Sequence, residues 1–317
     1  FLAIVIFCYF FKTIEPNAHV LPRYIQVYFG FFVFYFSFAM WRGSVDLEKL
    51  ATFLCCTVFI DALLINILPE GIYLANYPNF DGPMIDGHAT NYFGFYQRPN
   101  GFASNSSMTS TILAAMITMT NSKNIRVLLC ISIIISASTT GILLMAVALI
   151  LSSRSVILTS LAAIGVGVLI YILSLFIDEY FVHRLTPWYF FMILEYSFDQ
   201  YLAELRPVTS SILLGSNYLI DGIPMYITDN GYAPFYYTNG IILTLGYVSV
   251  LFWRRTIVNR QSILILLIGA FHYPAIFTVP GQVFFALLLL DKFKNVVRKE
   301  PEIDKCQFRT PKSSAIR

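Results

Sequence analysis

The sequence predicts an all-α fold, a polytopic membrane helical bundle of about ten transmembrane helices with two long external loops. Three observations carry this. Of 317 residues, 57% are hydrophobic and 12% charged, where soluble domains average about 45–50% apolar and about 25% charged. The apolar residues fall in long runs, and Lys and Arg between them are strongly biased to one side. So large an apolar excess cannot be hidden in one water-soluble core, which excludes a soluble enzyme, and 29 Phe, 20 Tyr and 3 Trp suit bilayer interfaces.

Taken in order, the candidate spans cover 1–11, 24–41, 49–68, 108–121, 125–151, 155–177, 234–252 and 261–290. The first is too short for a full crossing of about 20 residues. Since the chain opens on Phe1 rather than Met, an N-terminal piece with one or more helices is expected to precede it. The run 125–151 is interrupted by Ser136-Ala137-Ser138-Thr139-Thr140-Gly141, and the run 261–290 by His272, Pro274, Pro280 and Gly281. A break in helical hydrogen bonding survives in lipid only where protein or water satisfies the freed backbone groups. Each broken run is therefore expected to be a helical hairpin.

Orientation follows from the excess of Lys and Arg in short cytoplasmic loops. With both hairpins crossing twice, sixteen of the 21 basic residues lie inside: Arg42, Lys49, Lys123, Arg126, Arg154, Arg254, Arg255, Arg260 and the eight from Lys292 onward. Five lie outside: Lys12, Arg23, Arg98, Arg184 and Arg206. Residues 1–291 then form the integral membrane domain, and 292–317 a cytoplasmic basic tail attracted to anionic lipid. The hairpin arms are shorter than a standard span and must be tilted, re-entrant or shielded. Net charge is only +3, without a basic–aromatic groove, so no nucleic-acid partner is expected. Four of the five cysteines lie inside apolar runs and read as small hydrophobes.

The external segments, 69–107 and 178–233, are long enough to be functional. Trp188 to Leu194 suits an interfacial helix. Signatures of soluble enzymes, such as a Walker loop, His-Glu-x-x-His or Gly-x-Ser-x-Gly, are absent. Three external arginines remain: Arg98 in Gln97-Arg98-Pro99-Asn100-Gly101, Arg184 before Leu185-Thr186-Pro187, and Arg206 in Glu204-Leu205-Arg206-Pro207. A guanidinium is always protonated and presents a planar fork of donors, which suits a phosphate or diphosphate at a membrane surface. The external side carries eleven acids against five bases, so an anion site there needs a local cluster of arginines. Asp229 and Glu204 are the carboxylates best placed to act as a general base. Asp61, inside a span, is an ionisable side chain where function is the default suspicion; a hydrogen bond to a polar neighbour in the bundle is the favoured reading.

The pattern of segments resembles the bacterial O-antigen polymerase and O-antigen ligase family, membrane glycosyltransferases that use undecaprenyl-diphosphate-linked sugars. Three stretches carry the likeness: Arg98 through Gly101 and Asn105 to Ser107 leading into a span; Ile135 to Gly141 in mid-hairpin; and the long loop with Arg206 and Ile212-Leu213-Leu214-Gly215, closing as Asp229-Asn230-Gly231-Tyr232 before Asn239-Gly240. The family's Pro before the Asn or Ser of the first stretch is absent, and Thr139 stands where an arginine is frequent. Asp229 holds the place of a histidine common in the ligase branch, which favours polymerase over ligase.

The resemblance implies a metal-independent reaction without a cofactor in the bacterial inner membrane, making O-antigen or capsule. A sugar hydroxyl of one lipid-linked repeat unit attacks the anomeric carbon of the growing chain and expels undecaprenyl diphosphate. It assigns Arg98 and Arg206 to the diphosphate and Asp229 as base. Arg184, Asn105 and Glu204 would help to bind substrate, and Gly101 and Gly215 would let the lipid head approach. A chain-length regulator and a flippase are the implied protein partners, beside membrane lipid. A transporter or flippase of lipid-linked sugars is the alternative; such folds concentrate broken helices near the midplane, whereas here polar residues gather in two external loops.

Overall fold

The computed structural model describes residues 21–67, 91–92, 96–103, 105–153, 219–220, 223–224, 257–270 and 275–294, with single helical positions at 164, 241, 242 and 245. Among these there are seven α-helices: α1 (Leu21–Met40), α2 (Leu47–Ile67), α3 (Ser106–Met119), α4 (Lys123–Ile135), α5 (Thr139–Ser152), α6 (Ile257–Gly269) and α7 (Val279–Leu289). Both interrupted runs are helix pairs, α4–α5 and α6–α7. Two single turns of 3-10 helix, Gly101–Ala103 and Ala275–Phe277, precede α3 and α7.

Capping residues explain why helices begin where they do. The carboxylate of Asp46 accepts from the amides of Glu48 and Lys49 (3.0 and 3.1 Å) and starts α2 two residues before the apolar run. Asn105 accepts from Ser107 N (2.8 Å) and starts α3 likewise. Ser122, Ser138 and Thr278 cap α4, α5 and α7. Each satisfies an amide that the first helical turn would otherwise leave without a partner.

α3 is the central element: all of its residues are buried except Met108, which is half-buried. It can take that place because Ser106, Ser107, Ser110, Thr111, Ala114, Ala115 and Thr118 are small enough to let neighbouring backbones approach. Gly141 of α5 and Gly269 of α6 sit directly on Ser110 and Thr111, where an added Cβ would come within 2.3 Å and 2.5 Å of their side chains.

The contacts also fix directions. Ser107 meets Ser138 at 2.9 Å and Ser110 lies under Gly141, so α3 and α5 run parallel. Thr118 meets Ser262 at 2.6 Å while Gly269 lies on Thr111, so α6 runs opposite to both. Asn259 donates to Leu288 O (3.3 Å), returning α7 antiparallel to α6. α1 follows α7, with Phe31 and Phe285 rings 5.3 Å apart and Lys292 Nζ donating to Trp41 O (2.5 Å). A two-residue parallel pairing of β1 (Val45–Asp46) with a later strand, Phe293–Lys294, closes that end.

The described bundle thus has two distinct ends. One gathers the starts of α1, α3, α5 and α7 with Asp61, Arg98 and, in the first turn of α1, Arg23. The other gathers Arg42, Lys49, Lys123, Arg126, Arg260, Lys292 and Lys294, all from the set that the sequence assigns to one side.

Among the described residues one helix, α2, is long and apolar enough to cross a membrane by length and composition. Its inward face carries Leu47, Ala51, Cys55, Val58, Asp61 and Ile65, and its outward face exposes Phe53, Ile60, Leu63 and Ile67. α3, α5 and α7 are shorter apolar helices; the 14 residues of α3 rise about 21 Å, against a hydrocarbon core of about 30 Å. Within 69–107 and 178–233, short antiparallel ladders pair Asn91–Tyr92 with Tyr96–Gln97 and Leu219–Ile220 with Ile223–Pro224.

Candidate functional site

The segment Arg98–Asn105 enters α3 through a turn tied on two sides. Gly101 adopts φ +69°, a left-handed conformation that costs residues with a Cβ about 1–2 kcal/mol. Its amide donates to Asp61 Oδ2 of α2 at 2.7 Å. On the other side Thr109 Oγ1 donates to Asn100 O (2.8 Å) and accepts from Ala103 N (3.1 Å). A Cβ on Gly101 would lie 2.6 Å from Thr109 Cγ2, so the position is closed to side chains on steric grounds as well.

The second stretch comes alongside the first. α4 ends at Ser136, whose hydroxyl donates back to Ser132 O (2.9 Å); Ala137 turns the chain at φ +47°. Ser138 then caps α5 by accepting from Gly141 N (3.1 Å), and its hydroxyl meets Ser107. Two stretches separated by more than thirty residues therefore share one junction, where α3 and α5 both begin. The turn at Gly101–Ala103 also packs against α7.

The electrostatics follow from this arrangement. Aligned peptide dipoles place partial positive charge at helix N-termini, and two such termini adjoin here beside the Arg98 segment. Among the described residues, Arg98 is half-buried with its Nε enclosed without a hydrogen-bond partner, as is Arg126 Nε at the opposite end; the buried hydroxyls of Ser106 and Ser110 also lack one. Buried donors of this kind are ordinarily satisfied. An anion with several acceptor oxygens is the ligand chemistry that matches a guanidinium beside helix N-termini.

Of the residues selected from sequence, Arg98, Gly101 and Asn105 share this segment, Gly101 as its left-handed turn and Asn105 as the cap of α3. Arg184, Glu204, Arg206, Gly215 and Asp229 lie outside the described residues, as do His272, the stretch 188–194 and the tail beyond Lys294. Asp61 does make the hydrogen bond expected of it, and its partner is an amide of the Arg98 segment itself. Thr109 carried no signal beyond lying in an apolar run.

No family model, curated protein or solved structure matches this chain.

Proposed function

We propose that this chain is a membrane glycosyltransferase of the O-antigen polymerase type. It joins undecaprenyl-diphosphate-linked oligosaccharide repeat units on the outer face of the bacterial inner membrane. The observation that carries this reading is the half-buried Arg98, its Nε without a partner, on a segment clamped at the joint start of α3 and α5. The gathering of seven of the nine described Lys and Arg residues at the opposite end supports the orientation, by the cytoplasmic preference of these residues. The outward apolar face of α2 supports immersion in lipid. Ten crossings, each broken run crossing twice, complete the topology.

In the proposed reaction a hydroxyl oxygen of the incoming repeat unit forms a bond to the anomeric carbon of the growing glycan. The bond from that carbon to the diphosphate oxygen breaks, its electron pair leaves with undecaprenyl diphosphate, and the hydroxyl proton passes to a base, for which we propose Asp229. Arg98, joined by Arg206, stabilises the negative charge that develops on the leaving group; electrostatic donors of this kind are worth on the order of 10²- to 10³-fold in rate. Loop tyrosines and Trp188 stack on the sugars.

The test is the length distribution of surface glycan in cells carrying Arg98→Ala or Arg206→Ala. Collapse of the ladder to a single repeat unit, with the protein still inserted, is expected. Normal ladders from both would remove the site assignment, loss of even the single unit would point to a flippase, and long chains unattached to their acceptor to a ligase.

A further inference from the structure

We propose that Asp61 is a positioning residue for the Arg98 site. Its carboxyl holds the Gly101 turn, and through that turn the guanidinium of Arg98, where a diphosphate is bound. The inference rests on the reading of Arg98 as a diphosphate ligand and adds the device that fixes it.

Three observations support it. Asp61 is 7% exposed in the body of α2, where an ionisable side chain is expensive and is retained for a purpose. Its Oδ2 accepts from Gly101 N at 2.7 Å across forty residues of sequence, at the one described glycine with a positive φ. Beyond Gly101, the same turn is held from α3 by Thr109, so α2 and α3 grip it from opposite sides. The single 3-10 turn that Gly101 opens has no run of helical hydrogen bonds around it, so its placement depends on these tethers. Remove the α2 tether and the turn three residues after Arg98 loses the hydrogen bond to its Gly101 amide, leaving the Thr109 bonds and the packing against α7. Preorganised donors gain their effect from being held before the ligand arrives, so loosening the turn acts on Arg98 although Asp61 touches no ligand.

The experiment uses the full chain in lipid nanodiscs, with undecaprenyl diphosphate as probe and undecaprenol as uncharged control. Arg98→Ala is expected to weaken diphosphate binding about tenfold or more, a change of about 1.4 kcal/mol per decade, and to leave undecaprenol binding unchanged. Asp61→Ser, whose hydroxyl is too short to reach Gly101, is expected to weaken the diphosphate to a similar degree. Asp61→Asn keeps an acceptor oxygen at that reach and is expected to restore affinity to within about threefold of wild type. The double variant Asp61→Ser/Arg98→Ala is expected to bind no worse than Arg98→Ala, because two residues acting through one guanidinium are not additive. Hydrogen exchange at the Gly101 amide gives an independent readout, slow in the wild type and Asp61→Asn and faster in Asp61→Ser.

Wild-type binding by Asp61→Ser while Arg98→Ala is weakened overturns the inference alone, as does a double variant whose losses multiply. An Arg98→Ala chain that binds the diphosphate normally overturns the Arg98 reading and this inference with it. If Asp61→Ser does not fold, Asp61→Asn decides: affinity reduced as far as in Arg98→Ala overturns the inference, and near-wild-type affinity with a protected Gly101 amide upholds it.

Discussion

The two ends of the bundle treat their cations in opposite ways. At the basic end, Arg126 Nη2 donates to Thr120 O just beyond α3 (2.8 Å), and Lys292 Nζ donates to Trp41 O just beyond α1. These two side chains meet carbonyls that α3 and α1 leave exposed at their C-terminal ends, a stabilising contact, although Arg126 Nε is itself buried without a partner among the described residues. At the other end Arg98 lies on the segment that leads into α3, and its Nε has no partner among the described residues. Arg126 and Lys292 have carbonyl partners within the protein; for Arg98 the proposed partner is an anion. The difference teaches that a helix-end carbonyl within reach, more than the number of arginines, separates an anchoring cation from one open to a ligand.

Substitutions at the two ends should accordingly differ in kind. The largest effect is expected from Gly101→Ala. The left-handed conformation costs about 1–2 kcal/mol and the clash with Thr109 about 1–3 kcal/mol more. A fall in thermal unfolding temperature in detergent and loss of glycan polymer should appear together. The smallest is expected from Arg126→Ala at the basic end, a loss of about 0.5–1.5 kcal/mol for one hydrogen bond with an unchanged glycan ladder. A shortened ladder in Arg126→Ala, with the protein present at wild-type level, would break the contrast.

Much of this arrangement could be read from sequence, and the reasons are local ones. The break at Ser136–Gly141 was legible because serine, threonine and glycine in mid-run supply a cap and a turn, and Ser138 does cap α5. The second interruption was legible through Pro280 and Gly281, which sit in the first turn of α7. Helices α2 and α3 start two residues before the apolar runs, since Asp46 and Asn105 cap from outside the apolar stretch. Arg98 was visible as an external arginine, and Gly101 and Asn105 were picked out with it by the family resemblance. What sequence could not supply was the contact between Asp61 and Gly101, forty residues apart, because packing of α2 against the turn decides it and no periodicity encodes it. The role of Thr109 was hidden for the same reason: a threonine in an apolar helix more often bonds its own preceding turn, as Thr111 does to Ser107 O (2.7 Å).

The whole account depends on the Arg98 end facing out of the cell and the basic end facing the cytosol. The direct measurement is cysteine labelling in spheroplasts, with the five native cysteines replaced. Ile67, exposed where α2 ends beside the Arg98 segment, and Asn121, exposed between α3 and α4, are each changed to Cys. A membrane-impermeant maleimide is predicted to label Ile67→Cys in intact spheroplasts and Asn121→Cys only after lysis. The reverse pattern, or labelling of both from the same side, would contradict the account.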